Sequence, residues 1–249
     1  MNRTGKWAPL AALAAVAAIM AVHGPIPQLP HYHEFADARP LLGVPHAMDV
    51  LSNAAFALVG LWGLWRLRDP AVRARLGRAC IGYALFIAAL VMTSAGSSYY
   101  HLAPDDARLV WDRIPIALAC AGLLSGTHAQ THSARHALGL TAALAVAAVA
   151  SVLWWSFTAV TGVGDLRPYL LLQGAPLLLV PAWQALAGSP RRDRVAFGWA
   201  IGLYVLAQFA ELLDHGLFEA LGFMSGHTLK HLLAAAAGFV LVAAITRRG

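Results

Sequence analysis

Apolar residues run along this chain in eight long blocks, near 7–23, 47–65, 79–100, 110–127, 137–157, 168–187, 195–214 and 225–245. Each block has about the 17–23 residues that a helix needs to cross a ~30 Å hydrocarbon core. The breaks between blocks alternate in charge. Arg3 and Lys6 precede the first block, and Arg66, Arg68, Arg73, Arg75 and Arg78 lie between the second and third. Arg135 falls between the fourth and fifth, Arg191, Arg192 and Arg194 between the sixth and seventh, and Arg247 and Arg248 after the last. The other breaks hold only Arg39, Arg108, Arg113 and Arg167. Every second connector is therefore basic, as expected when cationic loops stay in the cytoplasm. The pattern predicts an all-α membrane protein with both termini cytoplasmic. The first block has the basic start and short apolar run of a signal peptide, but no small-x-small site precedes the polar stretch 23–30. An uncleaved anchor is the expectation, giving residues 1–30 as anchor and loop and 31–249 as a seven-helix membrane domain.

Composition narrows the class further. The 249 residues are 59% hydrophobic and only 12% charged, which excludes an ordinary soluble domain. The net charge of +6 comes from short clusters between apolar blocks, so a nucleic-acid partner is not expected. Cys80 and Cys120 both fall in predicted membrane segments without metal or disulfide spacing.

The candidate chemistry sits at the mouths of these blocks. In the stretch SAGSSYYHLAPDDARLVWD, Ser97 and His101 are four residues apart and share a helix face, and Asp112 follows where the next apolar helix opens. In SGHTLKH, His227 and His231 repeat the four-residue spacing. The alternating topology places all five on one membrane face, together with Glu211, Asp214 and His215 at the end of the seventh block. Polar groups at such positions are costly and point to function. A catalytic zinc takes three protein ligands and a water. His101, His227 and His231 fit that scheme, with two ligands from one helix turn and one from elsewhere.

Competing readings exist for each. His128, His132 and His136 are also spaced by four, but in a predicted cytoplasmic connector beside Arg135 and without a carboxylate. His31, His33 and His46 lie in a Pro-rich outer loop, as spectators or as a lid over a pocket. Asp112 could pair with Arg113 or Arg108, and Ser97 could bond back to its own helix. Glu211 and Asp214 could be solvated helix-end groups or could hold histidine tautomers. Trp154 and Trp155 read as an aromatic belt.

The block GSSYYH with Asp112, and GHTLKH in the last helix, resembles the alkaline ceramidase family. That family belongs to a superfamily of membrane hydrolases that also includes the adiponectin receptors. Its pattern is a serine four residues before a histidine, an aspartate eleven after it, and HxxxH on the final helix. Ser97, His101, Asp112, His227 and His231 match in type, order and spacing. The segment MDVLSNAAFALVGLWGL resembles the first core helix of the family, with Ser52 and Asn53 at its Ser-Asn pair. The resemblance spans about residues 31–245 and implies Zn2+ held by His101, His227 and His231, with Asp112 and Ser97 as catalytic groups. Asp112 would handle the proton of an activated water, and Ser97 would donate to the developing oxyanion or to that water. It implies cleavage of the amide bond of ceramide or a related amide-linked lipid to a fatty acid and a long-chain base. Eukaryotic members carry an acidic Ca2+ segment before the first core helix. Here that stretch offers Glu34, Asp37 and Asp49, but His46 stands at the place of a family glutamate, so Ca2+ is doubtful. The N-terminal segment and the Ala/Arg-rich composition suggest a bacterial relative in the inner membrane, with its site toward the periplasm.

Two alternatives remain open on sequence. A zinc-containing seven-helix lipid receptor would share the histidine pattern without turnover. A transporter would use the polar helix ends as a path, although no inverted repeat is visible.

Overall fold

The computed structural model describes residues 7–248, so Arg3 and Lys6 lie outside the described residues. The chain is 78% helical, and no strand occurs among the described residues. Helix α1 spans Ala8–His23; α2 (Ala47–Ser52) and α3 (Ala54–Arg66) are joined at Asn53; α4 (Pro70–Leu76) leads into α5 (Cys80–His101). Then come α6 (Asp106–Thr131), α7 (Ala137–Thr161), α8 (Arg167–Leu186), α9 (Arg191–Leu212), the short α10 (Asp214–Leu221) and α11 (Gly226–Thr246). Seven spans are long and apolar enough to cross a membrane, with α2–α3 and α4–α5 each acting as one. Helix α1 is shorter: its 16 residues reach about 24 Å at 1.5 Å per residue, and it packs along α8.

Helices α5 and α6 form the centre, and glycines set their approach. A β-carbon on Gly122 would meet the Gly82 carbonyl at 2.7 Å, and one on Gly126 would meet the Tyr83 ring at 2.6 Å. Small residues at such crossings let backbones come close in the absence of water. Near the site end, Gly96 lies against the Trp111 carbonyl, where no side chain would fit. Pro115 has no N–H to offer that carbonyl, so the proline and the glycine together fix the crossing beside Ser97 and Asp112. Around this pair stand α3, α7, α8 and α11, with α9 packed on α11. Helices α8 and α9 touch each other only sparsely, which leaves a seam in the bundle wall.

The two ends of the bundle differ. At one end arginines take the carbonyls that a helix leaves open at its C-terminus. Arg66 donates to Thr246 O at 2.8 Å, Arg75 to Ile245 O and Arg247 O, and Arg78 to Arg135 O at 3.1 Å. Arg247 pairs with Asp193, and Arg248 with Asp69 at 2.7 Å. At the other end, residues 24–46 form an irregular strap across the helix mouths. Leu166 N donates to Ile26 O at 2.9 Å, Ala36 N to Asp214 Oδ2 at 2.9 Å, and Arg39 to Gly222 O at 3.0 Å. The strap bends through left-handed backbone at His31, Leu42 and His46.

Several boundaries differ from the apolar blocks. Helix α6 starts at Asp106, because Asp105 caps it by accepting from Arg108 N at 2.7 Å. Asp112 therefore lies more than a turn inside the helix and not at its opening. The same helix continues to Thr131, so His128 is helical and not in a connector. Asp214 and His215 open α10; only Glu211 belongs to the end of α9.

Candidate metal centre

Two helices bring three histidines together under the strap. From α5 comes His101, and from α11 come His227 and His231; all three are at least 95% buried. Their ligand-capable nitrogens all lie within 4.8 Å of one another, which makes this the one such convergent His/Cys/Asp/Glu group among the described residues. His101 Nε2 and His227 Nε2 are 3.2 Å apart. Two nitrogens bound tetrahedrally at ~2.0–2.1 Å would stand ~3.3 Å apart, so the spacing matches a shared cation.

The outer nitrogens of the α11 pair are held in the matching tautomer. His231 Nδ1 is 2.8 Å from Ser52 Oγ, whose own proton goes to the Asp49 carbonyl at 3.0 Å. The ring nitrogen must then donate to Ser52, leaving the Nε2 lone pair for a metal. Glu211 Oε1 lies 3.4 Å from His227 Nδ1 and plays the same part, while Glu211 also pairs with Lys230. Such partners behind metal-binding imidazoles fix their orientation. The start of α11 is anchored as firmly. Ser225 accepts from Thr228 N at 3.0 Å, Asp214 from His227 N at 2.7 Å, and buried Asp49 from the Thr228 hydroxyl at 2.6 Å. Three oxygen acceptors thus serve the open N–H groups and first-turn hydroxyl of the helix that carries two histidines.

Ser97, on the same face of α5 as His101, does not bond back to its own helix. Its hydroxyl faces the Asp112 carboxylate across the α5–α6 crossing, and both groups line the same cavity. Neither suggested arginine takes Asp112: Arg108 pairs with Asp105, and Arg113 lies against aromatic rings. Ser97, Asp112, His227 and His231 all line one cavity of about 990 Å³, at the top of the usual range for ligand sites. A large part of its wall is apolar, with Phe86, Leu90, Leu123, Phe197 and Leu241.

Phe35 covers the centre, its ring centroid 4.7 Å from that of His101 and 4.4 Å from that of His227. Sequence reasoning missed it, since one phenylalanine in a Pro-rich loop carries no periodic signal. The loop itself has fixed geometry: His33 bonds the Tyr100 hydroxyl at 2.8 Å and Asp106 at 3.1 Å. His46 caps α2. The expected acidic loop residues have separate partners: Glu34 pairs with His31, Asp37 with Arg39, and Asp49 with Thr228. No common point for a calcium ion is built from them.

The rival triad does not converge. The His128 and His132 rings stack in parallel, 4.9 Å apart, edge-on to Trp183, and His136 stands beyond them at the start of α7. Trp155 is not a belt residue either: it is 1% exposed and lies under Arg113, whereas Trp154 is half-exposed and donates to Asp165 at 3.0 Å. Fold and site thus define a helical membrane protein with a buried three-histidine centre that could hold a metal ion. No protein-family model matches the chain, and no curated protein matches it.

Proposed function

We propose that the protein is a zinc-dependent membrane hydrolase that cleaves the amide bond of ceramide or a related amide-linked lipid. The observation that carries this reading is the three-histidine cluster opening on a large apolar cavity whose wall also holds Ser97 and Asp112. The resemblance of these five residues to the alkaline ceramidase pattern supports the choice of substrate class. Residues His101, His227 and His231 would hold the ion. A zinc with three protein ligands supplies an acidified water near neutral pH and polarises a carbonyl. Asp112 Oδ accepts the proton of the attacking water and returns it to the amine nitrogen as the C–N bond breaks. The Ser97 hydroxyl stands beside Asp112, where it would orient that carboxylate or donate to the developing oxyanion. Phe35 and the strap exclude bulk water, and the apolar wall takes the acyl chain.

Metal analysis of detergent-purified protein tests the reading, with ceramide hydrolysis assayed on the same samples. One zinc per chain and turnover are expected, both lost in His227→Ala and in His231→Ala. Zinc without hydrolysis of any amide-linked lipid would leave a receptor-like binder, and absence of metal after chelator-free purification would overturn the site.

The charge alternation supports a site end facing the periplasm of a bacterial inner membrane, with the arginine-rich end cytoplasmic. Leu42, 96% exposed on the strap, reports on this. Leu42→Cys should react with an impermeant maleimide in intact spheroplasts; labelling only after lysis would invert the topology.

A further inference from the structure

Arg113 stands one residue beyond Asp112 on α6, and it too lines the large cavity. It is only 4% exposed. The other arginines at this end each have a carboxylate: Arg39 has Asp37, Arg108 has Asp105, and Arg167 has Asp165. Arg113 has none. Aromatic rings surround its guanidinium, with Trp155 at 4.0 Å and Tyr32 and Tyr169 both at 5.4 Å from their centroids. Its one hydrogen bond goes to the Gln28 side-chain oxygen on the strap. The other terminal nitrogen, NH1, is buried without a partner, and so is the Gln28 amide nitrogen. Asp112 feels the charge of Arg113 but makes no ion pair with it.

A buried, permanently charged guanidinium with no carboxylate in direct contact is an expensive arrangement to keep. Orphaned donors in the wall of a ligand cavity call for an acceptor from outside the protein. Both unpartnered groups here are donors, and one belongs to a planar fork suited to phosphate or carboxylate oxygens. We propose that Arg113 and Gln28 form a subsite for an anionic group, phosphate or carboxylate, carried by the lipid whose chain fills the apolar wall. This deepens the hydrolase reading: the preferred substrate is an acidic N-acyl lipid, and neutral ceramide is the poorer one. The strap contributes through Gln28, so the headgroup is read at the same end as the histidines.

Equilibrium binding to the full-length protein in detergent tests the subsite, with ceramide 1-phosphate against ceramide and with inorganic phosphate alone. Charge-assisted hydrogen bonds of this kind predict about tenfold or greater preference for the phosphorylated lipid. Arg113→Gln should abolish the preference. Because that side chain is buried, Gln28→Glu is the second variant: it supplies an internal carboxylate to Arg113 and should remove the preference while ceramide still binds. Zinc content and a monodisperse gel-filtration peak confirm that each variant folds. Equal binding of the two lipids by the wild type overturns the proposal. So does inorganic phosphate binding as tightly as the lipid, since the site would then serve a free anion. The same preference is expected in His227→Ala, which separates the outcomes. Preference without turnover would retain the subsite and refute the hydrolase, whereas turnover of ceramide without preference would do the reverse.

Discussion

Glu211 joins two jobs in one carboxylate, orienting His227 through Nδ1 and neutralising Lys230. The double use makes it the sensitive group behind the three-histidine centre. Glu211→Gln keeps the shape but weakens the acceptor, so zinc affinity should fall by about 10–100-fold, as for other partners of metal-binding histidines. Competition with a chromophoric chelator measures this; an unchanged dissociation constant would remove Glu211 from the site. The pair His227 and His231 was readable from spacing, because four residues is one helix turn, whereas His101 joined them only through the charge topology and the family resemblance. Their supports were less readable. Ser52 meets His231 across 179 positions of sequence, and nothing local announces such a partner. Phe35 was silent for the same reason.

At the level of elements, the strap shows how a Pro-rich loop acquires a fixed shape. Two ion pairs position the groups that dock it: Asp37 holds Arg39, which donates to Gly222 O, and Arg167 holds Asp165, which accepts from Ile26 N. Arg39 holds the Asp37 carboxyl below its usual value of 3.8, and the Arg167 guanidinium does the same for Asp165. A lowered folded-state value means that each pair contributes fully above the ordinary carboxylate range, and that the contribution disappears as pH falls through the lowered value. The strap should stay docked from pH 8 to pH 5 and loosen below about pH 3.8, before the helices do. Hydrogen exchange of residues 26–41, corrected for intrinsic rates, should keep its protection down to pH 5 and lose it progressively below about pH 3.8; unchanged protection there would show that packing alone holds it. Hydropathy located the long helices well and their ends poorly. The apolar pattern stops where lipid stops, but helical hydrogen bonding continues until a cap or break intervenes. Asp105 therefore moves the start of α6 outward, and His128 becomes its last turn.

For the whole molecule, the seven-span bundle followed from block length and charge alternation, since lipid admits few ways to satisfy a backbone. The cavity did not follow. Its walls come from helices whose apolar faces look alike in sequence whether they meet a neighbour or an empty space. It lies behind the seam between α8 and α9, with Gln173, Pro176 and Leu177 on one side and Ile201, Tyr204 and Gln208 on the other.

If a lipid is turned over in this cavity, the seam offers a route from the bilayer, and the route sets which concentration governs the rate. A chain that enters sideways from the bilayer is dissolved in two dimensions, and its amount per volume of buffer is irrelevant. If the protein hydrolyses such a lipid, diluting the substrate tenfold with inert phospholipid at constant bulk concentration should slow turnover about tenfold below saturation. Adding more vesicles of the same composition should change nothing. A rate that followed bulk concentration instead would mean that the lipid arrives through the water under the strap. Membrane thickness and fluidity would then matter little, whereas entry through the seam makes the surrounding lipid a co-determinant of the rate.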